Sequence, residues 1–237
     1  VTWVFVDPKD GTTVVLPVTD SALVKRDFTW FGIRKGGDRW HTIEFFESPP
    51  FWRCTQYRPE PTSGQPLRAV GFEVPSTPGN WQPFGLTNDK KRLVIMSRDA
   101  SASSPDQFNF FDVDGNLLAE VPCSDSPDRD NTRLVFLERY YYVVSDVGGS
   151  PRWRVKQYDE LGNLLNAWVP MGVGDETVIG ITTDGKAIYL MIGTGSTRIE
   201  KYSASGVLLR AYDPPGDGLA FSNGITFNGR YLIARLS

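Results

Sequence analysis

A unit of two hairpins recurs along this 237-residue chain, and no other feature limits its possible folds as strongly. Three segments match: Phe108 to Pro122 (FNFFDVDGNLLAEVP), Arg154 to Pro170 (RVKQYDELGNLLNAWVP) and Arg198 to Asp213 (RIEKYSASGVLLRAYD). Each reads as an alternating strand, a tight turn on Gly115, Gly162 or Gly206, and a second strand that opens on paired aliphatic residues. Glycine there supplies the positive φ that a tight hairpin requires. Looser copies run from Trp52 to Pro75 around Gly64 and from Val1 to Val18 around Asp10-Gly11.

A second hairpin precedes most of these. It opens on Phe84-Gly85-Leu86-Thr87, Ile179-Gly180-Ile181-Thr182 or Asn223-Gly224-Ile225-Thr226, with a degenerate form at Phe31-Gly32-Ile33. A polar turn follows, then a β-rich strand such as Leu93 to Met96, Ile188 to Ile192 or Tyr231 to Ala234; Leu134 to Val144 has the same layout without the glycine. Four antiparallel strands per repeat follow from this pairing.

The turn glycines at 11, 64, 115, 162 and 206 are 53, 51, 47 and 44 residues apart, and joining the chain into a circle gives a last interval of 42. Four strands at this spacing are the mark of a propeller blade. The final copy supplies only a first hairpin, and Val1 to Val18 only a second. The sequence therefore predicts an all-β, five-bladed β-propeller, one domain over residues 1–237. Its blades fall at about 23–76, 82–122, 131–170, 177–213 and 220–237 plus 1–18, the N-terminal strands completing the last blade and closing the ring. A β-sandwich built from the same hairpins is the alternative.

Composition narrows function by exclusion. Twenty-five Lys and Arg against 28 Asp and Glu leave a net charge of -3, which argues against general nucleic-acid binding. No apolar run approaches the roughly 20 residues needed to cross a bilayer, and no basic segment followed by an apolar one opens the chain, so a soluble protein without membrane insertion is expected. Cys54 and Cys123 are too few for a disulfide framework or a zinc site; they read as buried small residues or as one disulfide. His41, the single histidine, argues against a His-based triad.

The pattern Gly-Ile/Leu-Thr, polar turn, aliphatic strand and Tyr-Asp-x-x-Gly-Asn-Leu-Leu resembles NHL-type propeller repeats, at Gly180 to Leu190 with Ile199 to Leu209 and at Tyr158 to Leu165. The resemblance implies a fold rather than an activity, since such repeats serve adhesion, scaffolding and hydrolysis alike. The opening Trp3-x-Phe5-x-Asp7-Pro8-x-x-Gly11, followed by Pro17-Val18, is similar to the N-termini of some phage tail proteins. Ser222-Asn223-Gly224-Ile225 resembles the point at which gluconolactonase-type propellers place a metal-binding Asn; Asn131, Asp27 and Glu176 would be its companions, without completing a ligand set.

In a four-stranded blade the glycine turns share one end, and the loops between the second and third strands gather with the blade connectors at the other. Long loops on a rigid scaffold are where binding usually resides. The binding candidates there are Trp81, Arg98, Arg152, Trp153, Arg198 and Asn223, because Trp offers flat amphipathic surface and Arg a forked donor. A Trp at a strand edge can equally cover the gap between blades. Acidic connector residues, Asp20, Asp27, Asp125, Asp128, Asp130, Asp175, Glu176 and Asp217, show no calcium-loop spacing and read as solvated charge. Gly148-Gly149-Ser150 and Gly193 to Ser196 read as β-turns, not phosphate loops.

The sequence thus predicts a non-catalytic propeller for protein-protein or glycan recognition and assembly, with no cofactor or metal. The expected setting is extracellular or virion, as a phage or virion structural component or as a secreted, lectin-like adhesin. A metal-dependent lactonase or hydrolase is the enzymatic alternative.

Overall fold

Alternation within each hairpin decides which side of a strand meets which neighbour, and the hairpins assemble accordingly. The structure, a computed structural model, describes residues 2–17, 40–47, 50–59, 66–74, 81–99, 104–112, 114–125, 129–171, 173, 176–193, 197–213, 221–227 and 230–236. Among the described residues there are nineteen strands and no helix.

The first two strands are β1 (Thr2–Val6) and β2 (Thr13–Pro17). A three-stranded first sheet follows, of β3 (Trp40–Glu47), β4 (Pro50–Pro59) and β5 (Pro66–Val74). The second sheet holds β6 (Trp81–Asn88), β7 (Leu93–Asp99), β8 (Gln107–Phe111) and β9 (Leu117–Pro122). The third holds β10 (Arg129–Leu137), β11 (Tyr140–Asp146), β12 (Trp153–Tyr158) and β13 (Leu164–Trp168). The fourth holds β14 (Val178–Thr183), β15 (Ile188–Gly193), β16 (Thr197–Tyr202) and β17 (Leu208–Tyr212). Last come β18 (Phe221–Phe227) and β19 (Leu232–Leu236), which pair with β1 and β2 in the order β18-β19-β1-β2. Val4 of β1 stands opposite Ala234 on one side and Val15 on the other. The strand expected at Phe31-Gly32-Ile33 lies outside the described residues.

The second strand of each well-described sheet is apolar on both faces, which forces a neighbour onto each side. In β15, Ile188, Leu190 and Ile192 join a cluster with Val135, Tyr142 and Val144 of the third sheet. The alternate residues Tyr189 and Met191 join Val6, Ile225, Leu232 and Ala234 of the terminal sheet. In β11, Tyr141 and Val143 turn the other way and pack with Val94, Met96, Phe108 and Phe110 of the second sheet. Cys54 packs with Leu86, Leu93, Ile95 and Phe111, linking the first sheet to the second, whereas Cys123 sits between the second and third. The two cysteines thus fill separate cores as small buried residues. Consecutive sheets are therefore stacked face to face, from the first through to the terminal one.

Outer strands behave differently because a neighbour lies on only one edge. Leu117 and Leu118 of β9, Leu164 and Leu165 of β13, and Leu208 and Leu209 of β17 are exposed. What holds these strands is the following sheet's turn. Gly162, at φ +78°, lies so close to the end of β9 that an added Cβ would fall on the Pro122 carbonyl oxygen. The Ser124 N–H donates to the Gly162 carbonyl oxygen at 2.8 Å. Gly206, at φ +87°, repeats the contact one sheet later, where a Cβ would sit 2.5 Å from the Trp168 ring of β13. Gly11, at φ +85°, faces the Tyr212 ring of β17.

These contacts set an ordered pair of expectations for unfolding by urea. Gly185→Ala, at φ +84° with open space around it, should lose only the left-handed penalty of about 1–2 kcal/mol. Gly162→Ala adds the clash with Pro122 and should lose roughly 3 kcal/mol or more. Equal losses for the two variants would show that the turn does not bear on the preceding sheet.

Candidate functional site

Hairpin geometry puts the β6–β7, β8–β9, β10–β11 and β12–β13 turns at one end of the stack and the β7–β8 and β11–β12 loops at the other. At the loop end the sequence candidates Arg98, Arg152 and Arg198 each meet a carboxylate. Arg98 is buried; its Nε and Nη2 donate to Asp106 at 3.1 and 3.3 Å, and its guanidinium lies 4.8 Å from the Phe84 ring centroid. Arg152 Nε donates to Asp146 at 2.7 Å while its guanidinium stacks over Trp153. Arg198 bridges Glu200, at 2.7 Å, and Glu176. Tyr202 donates its hydroxyl to Glu200 as well.

Trp153 is buried, and its indole N–H donates to the Glu176 carbonyl oxygen at 2.8 Å. Glu176 thereby brings Trp153 and Arg198 together, with its carboxylate committed to the arginine. Asp125 is likewise engaged, accepting from Lys156 and, at 2.7 Å, from the Tyr158 hydroxyl. Trp81 opens β6 opposite Asp99, and Asn223 sits on β18 between Phe221 and Ile225, where pairing with β19 shifts register. Asp20, Asp27, Asp128, Asp175 and Asp217 lie outside the described residues. Among the described residues, no group of three or more His, Cys, Asp or Glu side chains is placed to share a metal.

At the opposite end, between the second and third sheets, lies an open groove of about 620 Å³. One wall is the β6–β7 turn, Asp89 to Arg92; the other is formed by Glu138 to Tyr141 and by Glu160, Leu161 and Leu165. Asp89 organises the first wall. Its Oδ1 accepts the N–H groups of Lys91, at 3.0 Å, and Arg92, at 2.7 Å. Its Oδ2 accepts Arg92 Nε at 2.7 Å and the Tyr141 hydroxyl, from the third sheet, at 3.0 Å. Arg92 lies over the Phe110 ring and reaches Glu160 at 3.4 Å.

Burial alone would raise the Asp89 carboxyl, but the Arg92 and Lys91 N–H groups, with the Arg92 side chain, outweigh it and hold the group below the usual carboxylate range. Tyr141 is pushed up, first by burial and then by the negative charge of Asp89. Both groups are thereby fixed as charge and hydroxyl at neutral pH. The fourth sheet repeats the device: Asp184 accepts the Lys186 and Ala187 N–H groups and the Tyr189 hydroxyl, each at 2.8 Å.

The two turns differ in backbone as well as in the sheet that supplies the tyrosine. Gly185 takes the left-handed position in the fourth sheet, whereas Lys90, at φ 76°, takes it in the second; Glu138, at φ 60°, is also left-handed. An L-residue there costs about 1–2 kcal/mol that glycine avoids. Sequence reasoning missed this groove, yet a signal existed: Asn88-Asp89-Lys90 aligns with Thr183-Asp184-Gly185, and a charged residue replaces the expected glycine.

No family model and no curated protein matches this chain, and neither the NHL-type nor the phage-tail resemblance is confirmed. Solved structures do match. The glutaminyl cyclase of Myxococcus xanthus is similar at TM-score 0.54 and 16% identity, over 89% of this chain and 91% of that one. The subtype N10 neuraminidase-like protein of A/little yellow-shouldered bat/Guatemala is similar at 0.52 and 8%, over 95% and 82%. Prolyl oligopeptidase B of Galerina marginata is similar at 0.51 and 12%, over 95% of this chain but 34% of that one. All are β-propeller-type folds, and the likeness extends to the fold alone.

These matches overturn the expectation that the chain is not an enzyme. A glutaminyl cyclase and a prolyl oligopeptidase are enzymes carrying this kind of fold. A lone His argues against one triad chemistry, which is far narrower than excluding catalysis.

The Asp89 cluster gives a pH signature. A carboxyl held low in the folded state adds stability above its unfolded value, about 3.9, and loses it as pH falls through the folded value. Asp89→Asn should therefore cost about 2 kcal/mol at pH 7 and distinctly less near pH 3, read from urea midpoints. An equal cost at both would show that the charge is not what the cluster uses.

Proposed function

We propose that the five stacked sheets close into a five-bladed propeller, the terminal sheet packing against the first, and that this propeller works by recognition through the turn-end groove. The closure rests on sheets that are apolar on both faces together with a terminal sheet drawn from both ends of the described chain. The recognition reading rests on one observation above all: the groove is walled by charged turns whose backbone would be easier to build with glycine.

Of the two ligand classes open at the sequence level, a saccharide fits better than a protein. Small-ligand sites occupy about 300–1,000 Å³ and mix apolar body with a few polar groups, whereas a stable protein contact needs roughly 800 Å² of matched surface per partner. Leu161, Leu165 and Phe136 offer the apolar body, and Glu138, Arg139, Lys90 and Lys91 the hydrogen-bonding groups. Arg98, Arg152, Trp153 and Arg198 then serve the far end as a scaffold, closing the bases of its loops. Trp81 and Asn223 belong to that end by position.

Filling the groove tests the reading. Leu161 and Leu165 are exposed, so the double variant Leu161→Trp, Leu165→Trp should melt as the parent does. On a panel of immobilised neutral and acidic oligosaccharides, the parent should be retained by some members and the double variant by none. A parent that binds no member, or a filled variant retained as strongly as the parent, contradicts a saccharide site in the groove.

A further inference from the structure

We infer that the groove selects an acidic saccharide, one bearing carboxylate or sulfate groups on a hydroxylated ring; the inference rests on the groove being a saccharide site. Backbone and charge lead to it independently.

Among the described residues, Lys90 and Glu138 are the non-glycine residues with positive φ, and both stand on the groove. The matching turn of the fourth sheet uses Gly185. A left-handed L-residue is a stored strain that persists where the surrounding structure over-determines it, and such residues cluster at ligand sites. At Lys90 that side chain ends in an ammonium group.

The charge inventory shows what remains available. Asp89 is consumed by Arg92, Tyr141 and two backbone N–H groups. Asp159 is consumed within its own turn, accepting the Leu161 and Asn163 N–H groups and the Asn163 amide, each at 2.9 Å. Glu160 is partly offset by Arg92 at 3.4 Å. Among the described residues, Lys90, Lys91 and Arg139 have no ion-pair partner, and the Arg139 guanidinium is held 4.9 Å from the Tyr140 ring centroid. Two ammonium groups and a planar fork therefore face an opening in which Asp89 and Asp159 are engaged, while Glu138 and Glu160 remain on the rim.

An anion on the ligand would satisfy these cations, the arginine through paired donors. Glu138 and Glu160 on the same rim repel a ligand that is acidic throughout, such as an acidic peptide, but accept hydrogens from hydroxyl groups. Separated acidic groups on a polyhydroxylated body fit both requirements.

The test compares oligogalacturonate with its fully methyl-esterified form, and dextran sulfate with dextran, as probes of matched backbone. The parent should bind the acidic member of at least one pair about tenfold more tightly, with a preference that shrinks in salt. Lys90→Gly and Arg139→Gln should reduce the preference to within about threefold. Lys90→Gly should melt no lower than the parent, because glycine relieves the turn, so a lost preference cannot come from a lost fold. If neutral members bind as tightly as acidic ones, and the tryptophan-filled groove abolishes both, acid selectivity is overturned while the saccharide site stands. If no probe binds and the broader panel retains the parent only on neutral sugars, selectivity again falls alone. If no saccharide of any kind is retained, both fall.

Discussion

A β-sheet that is apolar on both faces cannot end a stack, and that constraint governs this molecule. β11 and β15 are buried nearly throughout, with alternate residues committed to opposite neighbours: Tyr141 and Val143 against Tyr142 and Val144, Tyr189 and Met191 against Ile188, Leu190 and Ile192. Each buried aliphatic side chain contributes about 1.5–3 kcal/mol by leaving water, and the gain is realised only while both neighbours are present. The second to fourth sheets have both neighbours in the stack. The first and terminal sheets obtain theirs only if the stack closes on itself; the terminal sheet itself joins β1 and β2 to β18 and β19.

Polar contacts also link neighbouring sheets at the turn end. Tyr141 reaches Asp89 of the preceding sheet, and Tyr212 donates to the Pro8 carbonyl oxygen of the following one at 2.7 Å. Arg210 donates to the Lys9 carbonyl oxygen at 2.6 Å. The glycine turns fit beneath these contacts because a Cβ at Gly162 or Gly206 would strike the neighbouring outer strand. Between the second and third sheets the same end carries Lys90 and Glu138 in left-handed backbone, and the surface there opens into a groove. Among the described residues, the left-handed non-glycine positions thus fall where the repeated framework departs from the repeat.

Much of this framework is legible in the sequence because it is local. Gly11, Gly115, Gly162 and Gly206 all adopt the positive φ that their turns demand, and the strands on either side begin close to where alternation places them. The groove is not legible in the same way. Lys90, Glu138 and Leu165 belong to three different hairpins, and only the stacking of one sheet on the next makes them neighbours. The loop-end arginines illustrate a different failure of inference. Read one at a time, Arg98, Arg152 and Arg198 look like exposed donors; Asp106, Asp146 and Glu200, all within eight residues, take up their charge in each case. A carboxylate that close in sequence to each arginine was the visible signal. Composition misled most where it was stretched furthest, from a single His to an absence of catalysis.

Hydrogen exchange of the Thr2–Val6 amides tests the central claim most directly, because β1 is the strand that binds one end of the chain to the other. If β1 is an interior strand of a closed stack, its amides exchange only with global unfolding, and their protection tracks that of β11 and β15 as denaturant is raised. Exchange at the rate of an unstructured terminus, with β11 and β15 still protected, would contradict closure through the terminal sheet.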